Sequence, residues 1–327
     1  MAEDAGVHFL YRQTLGSGRY RIYADGDIDV DAAQRLREFA VRRRVEHAVV
    51  LLNSRGGSLV GGIMLGETIR KLGFDTSVAE GAADFVTERP GVCASACAYA
   101  YAGGVSRYLP TGSLIGMHQF YGPGDNIADR SETQAVSGLI VAFLARMGVD
   151  SEAFAIASST PGDKMQWLAR EQALRIGLVN DGALPTTAEI KLADGMTPYL
   201  RLEQQQDSGI ARILLLCDQG HIRVTAGIVT SEETTQSKGQ SALRSYFELD
   251  GKELLSMPAP TGLILNHSTL WVDRHLATAD SAILMQAENF GIWTENGTNF
   301  RWGLVLNLVP VRQATTRFLQ GCLGSRP

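Results

Sequence analysis

Several functional classes are closed by what this 327-residue chain lacks. The pattern G-x-x-x-x-G-K-[ST] is absent, so ATP coupling through a P-loop would have to come from another chain. No run approaches the roughly 18–20 apolar residues that a helix needs to cross a bilayer. The richest stretch, 92–104, is broken by small residues and glycine. Excess charge is also missing: 30 Lys and Arg stand against 35 Asp and Glu, which leaves a formal net charge of −5 and no nucleic-acid signature. The one basic cluster, Arg42-Arg43-Arg44, sits where an amphipathic helix should end, and there the helix dipole favours cations. Cysteine is scarce, with four residues at 93, 97, 217 and 322, and their spacing does not resemble the clustered ligands of a zinc site. The first residues, Met1-Ala2-Glu3-Asp4-Ala5-Gly6, are acidic and lack the basic-then-apolar order of a signal peptide. They read either as a native cytoplasmic start or as the mature end of a periplasmic or exported protein.

What is present is ordinary globular composition, 45% hydrophobic and 20% charged, with enough length for two domains. Apolar periodicity predicts a helix over 30–44 carrying Ala33, Leu36, Phe39 and Ala40 on one face, with Asp29 as a possible cap. A buried strand over 48–52 follows, then a glycine turn, a helix over 59–72, a short strand over 76–79 and a loop over 80–91. Ser95 opens a helix running to about residue 102, Tyr121-Gly122-Pro123-Gly124 reads as a turn, and 129–147 is a long helix. Such alternation of strands and helices implies an α/β core.

Chemistry concentrates in three separated segments. Ser95 lies in Cys93-Ala94-Ser95-Ala96-Cys97, a Gly-Gly turn lies upstream in Asn53-Ser54-Arg55-Gly56-Gly57, and His118 follows in Gly116-Met117-His118-Gln119. A serine hydroxyl needs a base within hydrogen-bond reach and N–H donors aimed at the developing oxyanion. Small residues on both sides permit close approach of a reacting carbonyl. Ser95 is the expected nucleophile, His118 the general base, and the Ala96 N–H one oxyanion donor. An Ala-Ser-Ala run alone would more simply be read as tight helix packing; the Gly-Gly turn and His118 in order are what raise it above that.

With these blocks in place, the chain resembles the proteolytic subunit of the Clp protease, within the Clp/crotonase superfamily. The resemblance spans roughly 20–182 and includes the closing block Trp167-Leu168-Ala169-Arg170-Glu171-Gln172-Ala173-Leu174-Arg175-Ile176-Gly177-Leu178-Val179. More narrowly, the cysteine-flanked serine and the added C-terminal segment resemble a bacterial group of exported Clp-protease-like proteins. The resemblance implies a repeated ββα core, peptide or protein substrates, an acyl-enzyme on Ser95, no metal or organic cofactor, and a homo-oligomer built through the handle-like segment 118–147. It assigns the second oxyanion donor to Gly57. It also implies an aspartate just before the closing helix. An ungapped alignment on Leu168, Ala173 and Gly177-Leu178-Val179 puts Met165 there, with Asp163 two positions earlier, so Asp163 is the acid expected to orient His118.

Composition shifts near Pro185-Thr186-Thr187, and the runs beyond it are separated by turn residues such as Asp250-Gly251 and Asn296-Gly297. The expected organisation is therefore a Clp-protease-like serine hydrolase domain over 1–190, as the resemblance implies, and a smaller, mainly β domain over 198–327 with no recognisable chemistry. Its scattered histidines, His221, His267 and His275, read as structural. Cys217 and Cys322 bracket that domain and are the disulfide candidates, whereas Cys93 and Cys97 are left open. Two other functional classes fit the same segments. One is a non-catalytic binding or assembly protein whose β domain does the recognising. The other is an acyl-CoA-handling enzyme of the crotonase branch, against which the Ser-then-His order argues.

Overall fold

The computed structural model describes residues 6–13, 20–81, 88–120, 127–218, 221–297 and 300–324. The Tyr121-Gly122-Pro123-Gly124 turn and most of the loop after residue 81 lie outside them. The chain divides into two compact units, Met1–Gly182 and Ala183–Pro327. The division thus falls before the expected residue 190, because the segment at 187–193 is a strand of the second unit's sheet rather than a linker.

In the first unit, β1 (His8–Gln13), β2 (Tyr20–Asp25), β3 (Ala48–Asn53), β4 (Asp75–Gly81) and β5 (Glu88–Pro90) follow one another across a sheet. β2, β3 and β4 are parallel, while β1 and β5 run antiparallel at the edges. The apolar run Val49-Val50-Leu51-Leu52 suits a strand covered on both faces, and Val50, Leu51 and Leu52 are fully buried. The crossovers are α1 (Ala32–Arg43) and α2 (Leu59–Lys71). Helix α1 presents Ala33, Leu36, Phe39 and Ala40 to the core, as its periodicity requires.

Then come β6 (Val92–Ala94), α3 (Ala96–Ala102), β7 (Arg107–Tyr108), β8 (Leu114–Met117), α4 (Ile127–Arg146), α5 (Glu152–Ser159), β9 (Gln166–Trp167) and α6 (Arg170–Arg175). Strand β7 joins the large sheet beside β4, and β6, β8 and β9 make a small second sheet. In α4, Ile140, Phe143 and Leu144 are fully buried within this unit, so the C-terminal half of that helix already has a packing partner. Helices α2 and α3 touch backbone to backbone: a Cβ on Gly62 would come 2.3 Å from the Ala96 carbonyl oxygen, and one on Gly66 would come 2.6 Å from that of Tyr99. The G-x-x-x-G spacing on α2 therefore sets how deeply the helix after Ser95 is seated.

Arg107 fastens the end of the unit. It is 3% exposed, and its guanidinium donates to the carbonyls of Leu178 (2.9 Å), Gly104 (2.8 Å) and Gly177 (2.7 Å). Burial in this carbonyl cage lowers its pKa to about 10.

Among the described residues, the second unit has two antiparallel sheets, three α-helices and a short 3-10 turn at Val309–Val311. Its strands are β10 (Thr187–Ala193), β11 (Thr197–Gln206), β12 (Gly209–Asp218), β13 (His221–Val229), β14 (Arg244–Leu249), β15 (Lys252–Pro258), β16 (Leu263–Asn266), β17 (Thr269–Leu276), β18 (Asn289–Glu295) and β19 (Arg301–Asn307). Its helices are α7 (Glu232–Gln240), α8 (Thr278–Gln286) and α9 (Arg312–Gly324). One sheet has the order β10-β11-β12-β13-β17-β16 and the other β15-β14-β18-β19. Strand, helix and hairpin occur twice in the same order, as β13-α7-β14-β15 and as β17-α8-β18-β19. The two copies meet through the antiparallel pairs β13 with β17 and β14 with β18. The first hairpin turns at Asp250-Gly251, with φ of 47° and 81°, the positive values that a two-residue turn of this hand needs. Among the described residues, no helix of either unit is long and apolar enough to cross a membrane.

Candidate active site

Pairing between strands, more than any single contact, places Ser95. The turn after β3 is stitched to β6: the Ser54 N–H donates to the Val92 carbonyl (2.7 Å) and the Ala94 N–H to that of Ser54 (3.0 Å). On the other side β6 runs parallel to β8, with Ala94 opposite Gly116, and the Ser95 N–H donates to the Gly116 carbonyl at 3.0 Å. Ser95 is the single residue between that strand and α3, and it is half-buried. Its backbone adopts φ 56° and ψ −121°. For a residue with a side chain this is a sparsely populated region that costs about 1–3 kcal/mol and persists only where the surroundings over-determine it.

Gly56 and Gly57 both have φ of 126°, a value glycine adopts readily. Gly56 faces the serine: an ideal Cβ there would stand 2.9 Å from Ser95 Cβ and 3.4 Å from its Oγ. Gly57 pairs with Ile28, in the loop between β2 and α1, through a parallel bridge. In such a bridge the flanking residues make the bonds: Ile28 N–H donates to the Gly56 carbonyl and Ser58 N–H to the Ile28 carbonyl, both at 2.7 Å. The N–H of Gly57 itself is thereby turned away from Ile28. The Ala96 N–H lies in the first turn of α3, where helical amides have no partner within the helix. Ser58 caps α2 in turn, its hydroxyl accepting from the Gly61 N–H at 3.1 Å.

His118 follows the last residue of β8 and is half-buried, with its Nδ1 atom buried. The register that puts Ala94 opposite Gly116 brings Ser95 and His118 beyond the same end of the small sheet. The strand pair β8 and β9 continues past this end, since Gly116 pairs with Trp167, Met117 with Gln166, and the Gln119 N–H donates to the Thr160 carbonyl at 2.9 Å.

The turn at 161–164, closed by the Lys164 N–H on the Pro161 carbonyl (2.9 Å), therefore runs alongside the histidine. Asp163 sits on that turn with its side chain exposed, and among the described contacts it makes no hydrogen bond or ion pair to His118. Met165 points inward instead, and a Cβ on Gly116 would meet its Cγ at 2.8 Å. Ser95 and His118 follow the paired strands β6 and β8, Ala96 opens α3, Gly57 stands next to the glycine that faces Ser95, and Asp163 is exposed on the turn at 161–164.

Three features of the first unit escaped the sequence reading. Cys93 and Cys97 are joined by a disulfide that spans Ser95; the i,i+4 spacing across a strand-to-helix turn was the available signal. Asn53 links the glycine turn to both neighbouring strands, its Nδ2 donating to Asp25 (3.0 Å) and its Oδ1 accepting from the Val92 N–H (3.1 Å). Burial raises the Asp25 pKa against the lowering effect of that Asn53 bond. Asp29, expected as a helix cap, instead binds Arg35 (2.9 Å to Nη1) and accepts from the Asp31 N–H (2.8 Å). The Arg35 hydrogen bond is the main reason its pKa falls to about 2. In the second unit Cys217 on β12 and Cys322 on α9 are joined by a disulfide.

No family model matches the sequence, and no curated protein matches it. Among solved structures, the chain is similar to a mutant of ClpP1 from Listeria monocytogenes. The likeness has 18% sequence identity and a TM-score of 0.38, and it covers 49% of this chain and 88% of that one.

Proposed function

We propose that the first unit is a serine hydrolase that cleaves peptide bonds through an acyl-enzyme on Ser95. The observation that carries this reading is the backbone of Ser95 itself: a residue with a side chain, held at φ 56° between a strand and a helix, against a glycine that leaves its hydroxyl uncovered. In the reaction, Ser95 Oγ attacks the substrate carbonyl carbon while His118 takes the hydroxyl proton. The N–H groups of Gly57 and Ala96 stabilise the oxyanion, and each donor of this kind is typically worth ~10² to 10³ in turnover. His118 then gives its proton to the departing amine. Water deprotonated by His118 attacks the acyl-serine, and the carboxylic acid leaves as Ser95 regains its proton. Asp163 stands on the turn nearest the histidine, and its exposure favours a Ser95–His118 pair as the working unit.

Labelling with an alkyl fluorophosphonate tests the reading. Intact mass should rise by one adduct in the wild type and stay unchanged in Ser95→Ala. Absence of labelling in both would leave the non-catalytic binding reading in its place, and equal labelling of both would remove Ser95 as the nucleophile.

A further inference from the structure

The bridge between Cys93 and Cys97 closes a ring of five residues whose central member is Ser95. Cys93 belongs to β6 and Cys97 to the first turn of α3, so the bond ties together the two elements whose junction holds the serine. Both cysteines are 0% exposed, and their Cα atoms are 5.1 Å apart. Each side is also anchored independently. The strand side is held by the Ser54 bonds to Val92 and Ala94, and the helix side by the close seat of Ala96 on Gly62. Between those anchors lies Ser95, where the positive φ occurs. Its own backbone is held by two hydrogen bonds, its N–H donating to the Gly116 carbonyl and its carbonyl accepting from the Ala98 N–H, and the disulfide adds a covalent restraint across it.

From this we infer that Cys93 and Cys97 are positioning residues: their disulfide clamps the Ser95 elbow so that the hydroxyl and the Ala96 N–H keep their mutual aim. The inference rests on the Ser95 reading above. A non-glycine residue at positive φ relaxes toward common backbone conformations unless it is restrained. A restraint spanning two residues on either side of it acts directly on that relaxation. Opening the bridge breaks one S–S bond and yields two thiols, with the electrons and protons supplied by a dithiol that is itself oxidised to a disulfide. Relaxation of the elbow then misaims the nucleophile without removing any reacting group. The consequence is kinetic: the rate of the chemical step falls, and binding to the site changes little.

The test compares the wild type with Cys93→Ala/Cys97→Ala in two readouts, the saturation kinetics of fluorophosphonate labelling and amide hydrogen exchange over 92–102. The double variant should lose at least about tenfold in the maximal inactivation rate with an unchanged half-saturation concentration, and the elbow amides should exchange faster. An inactivation rate within twofold of wild type, with unchanged exchange, would overturn the inference. If the wild type itself takes no label, the hydrolase reading fails separately, and exchange alone then decides on the clamp: faster exchange confined to the elbow supports it, and unchanged exchange removes it. Should the double variant fail to fold, wild-type protein reduced with dithiothreitol, its opened pair located by alkylation mapping, provides the same comparison.

Discussion

Gly57 and Ile28 form a single parallel bridge in which a Cβ on the glycine would lie 2.3 Å from the Ile28 carbonyl oxygen. That oxygen cannot retreat, because it accepts the Ser58 N–H while the Ile28 N–H is held by the Gly56 carbonyl. Gly57→Ala should therefore rotate the Gly57 N–H out of place and lower fluorophosphonate labelling by about 10² or more, the loss typical of one oxyanion donor. Gly56→Ala should also impair labelling, by pressing on Ser95 Cβ from 2.9 Å. Labelling within threefold of wild type in Gly57→Ala, with the variant folded by circular dichroism, would show that this amide does not serve the oxyanion.

A buried aspartate that fixes the histidine tautomer is worth about 10⁴ in turnover in a Ser-His-Asp site. Asp163 is exposed and makes no described bond to His118, so Asp163→Asn should change turnover by less than about tenfold. Steady-state rates on any substrate turned over by the wild type decide the matter, and a fall near 10⁴ would establish Asp163 as the orienting acid.

The loop that presents Ile28 to Gly57 is anchored by Asp29 on Arg35. Because the folded pKa of Asp29 is depressed to about 2 from an ordinary value near 4, the pair stabilises the native state above pH ~4. That contribution is lost as pH falls from ~4 through ~2. Both side chains are about a third exposed, so the effect should stay below about 1 kcal/mol. Urea unfolding of the wild type and Asp29→Asn should differ at pH 7 and converge by pH 2; a difference that does not shrink with acid would assign the effect to something other than the ion pair.

The disulfide between Cys217 and Cys322 has a sequence separation of 105 residues. Chain-entropy reasoning gives up to ~4.7 kcal/mol for a loop of that order. Cys217→Ala/Cys322→Ala should accordingly lower the thermal midpoint of the second unit while leaving Ser95 labelling unchanged. An unaltered unfolding profile would show that the bridge contributes nothing measurable, and free thiols in peptide mapping of the wild type would show that it does not form.

The parts of this architecture that were legible beforehand are those written in local pattern. The strand at 48–52 and helix α1 follow from continuous and 3.6-residue apolar spacing, Ser95 and His118 stand out as reactive types in informative order, and the candidate role of Gly57 comes from the family resemblance. What escaped depends on contacts between distant segments. Strand β1 has alternation too weak to identify without its partner β2. The inward placement of Met165 and the outward placement of Asp163 depend on a turn closed between Pro161 and Lys164. The duplicated strand-helix-hairpin of the second unit is hidden because its two copies share the order of their elements while differing in most residues.

Cys217 precedes the first copy of that duplication and Cys322 follows the second, with both copies lying between them. The bond thus makes the duplicated region one covalent circle. A protease that nicks any loop inside it releases no fragment until the bridge is reduced, so the second unit can be cut once and still migrate as a single molecule under non-reducing conditions.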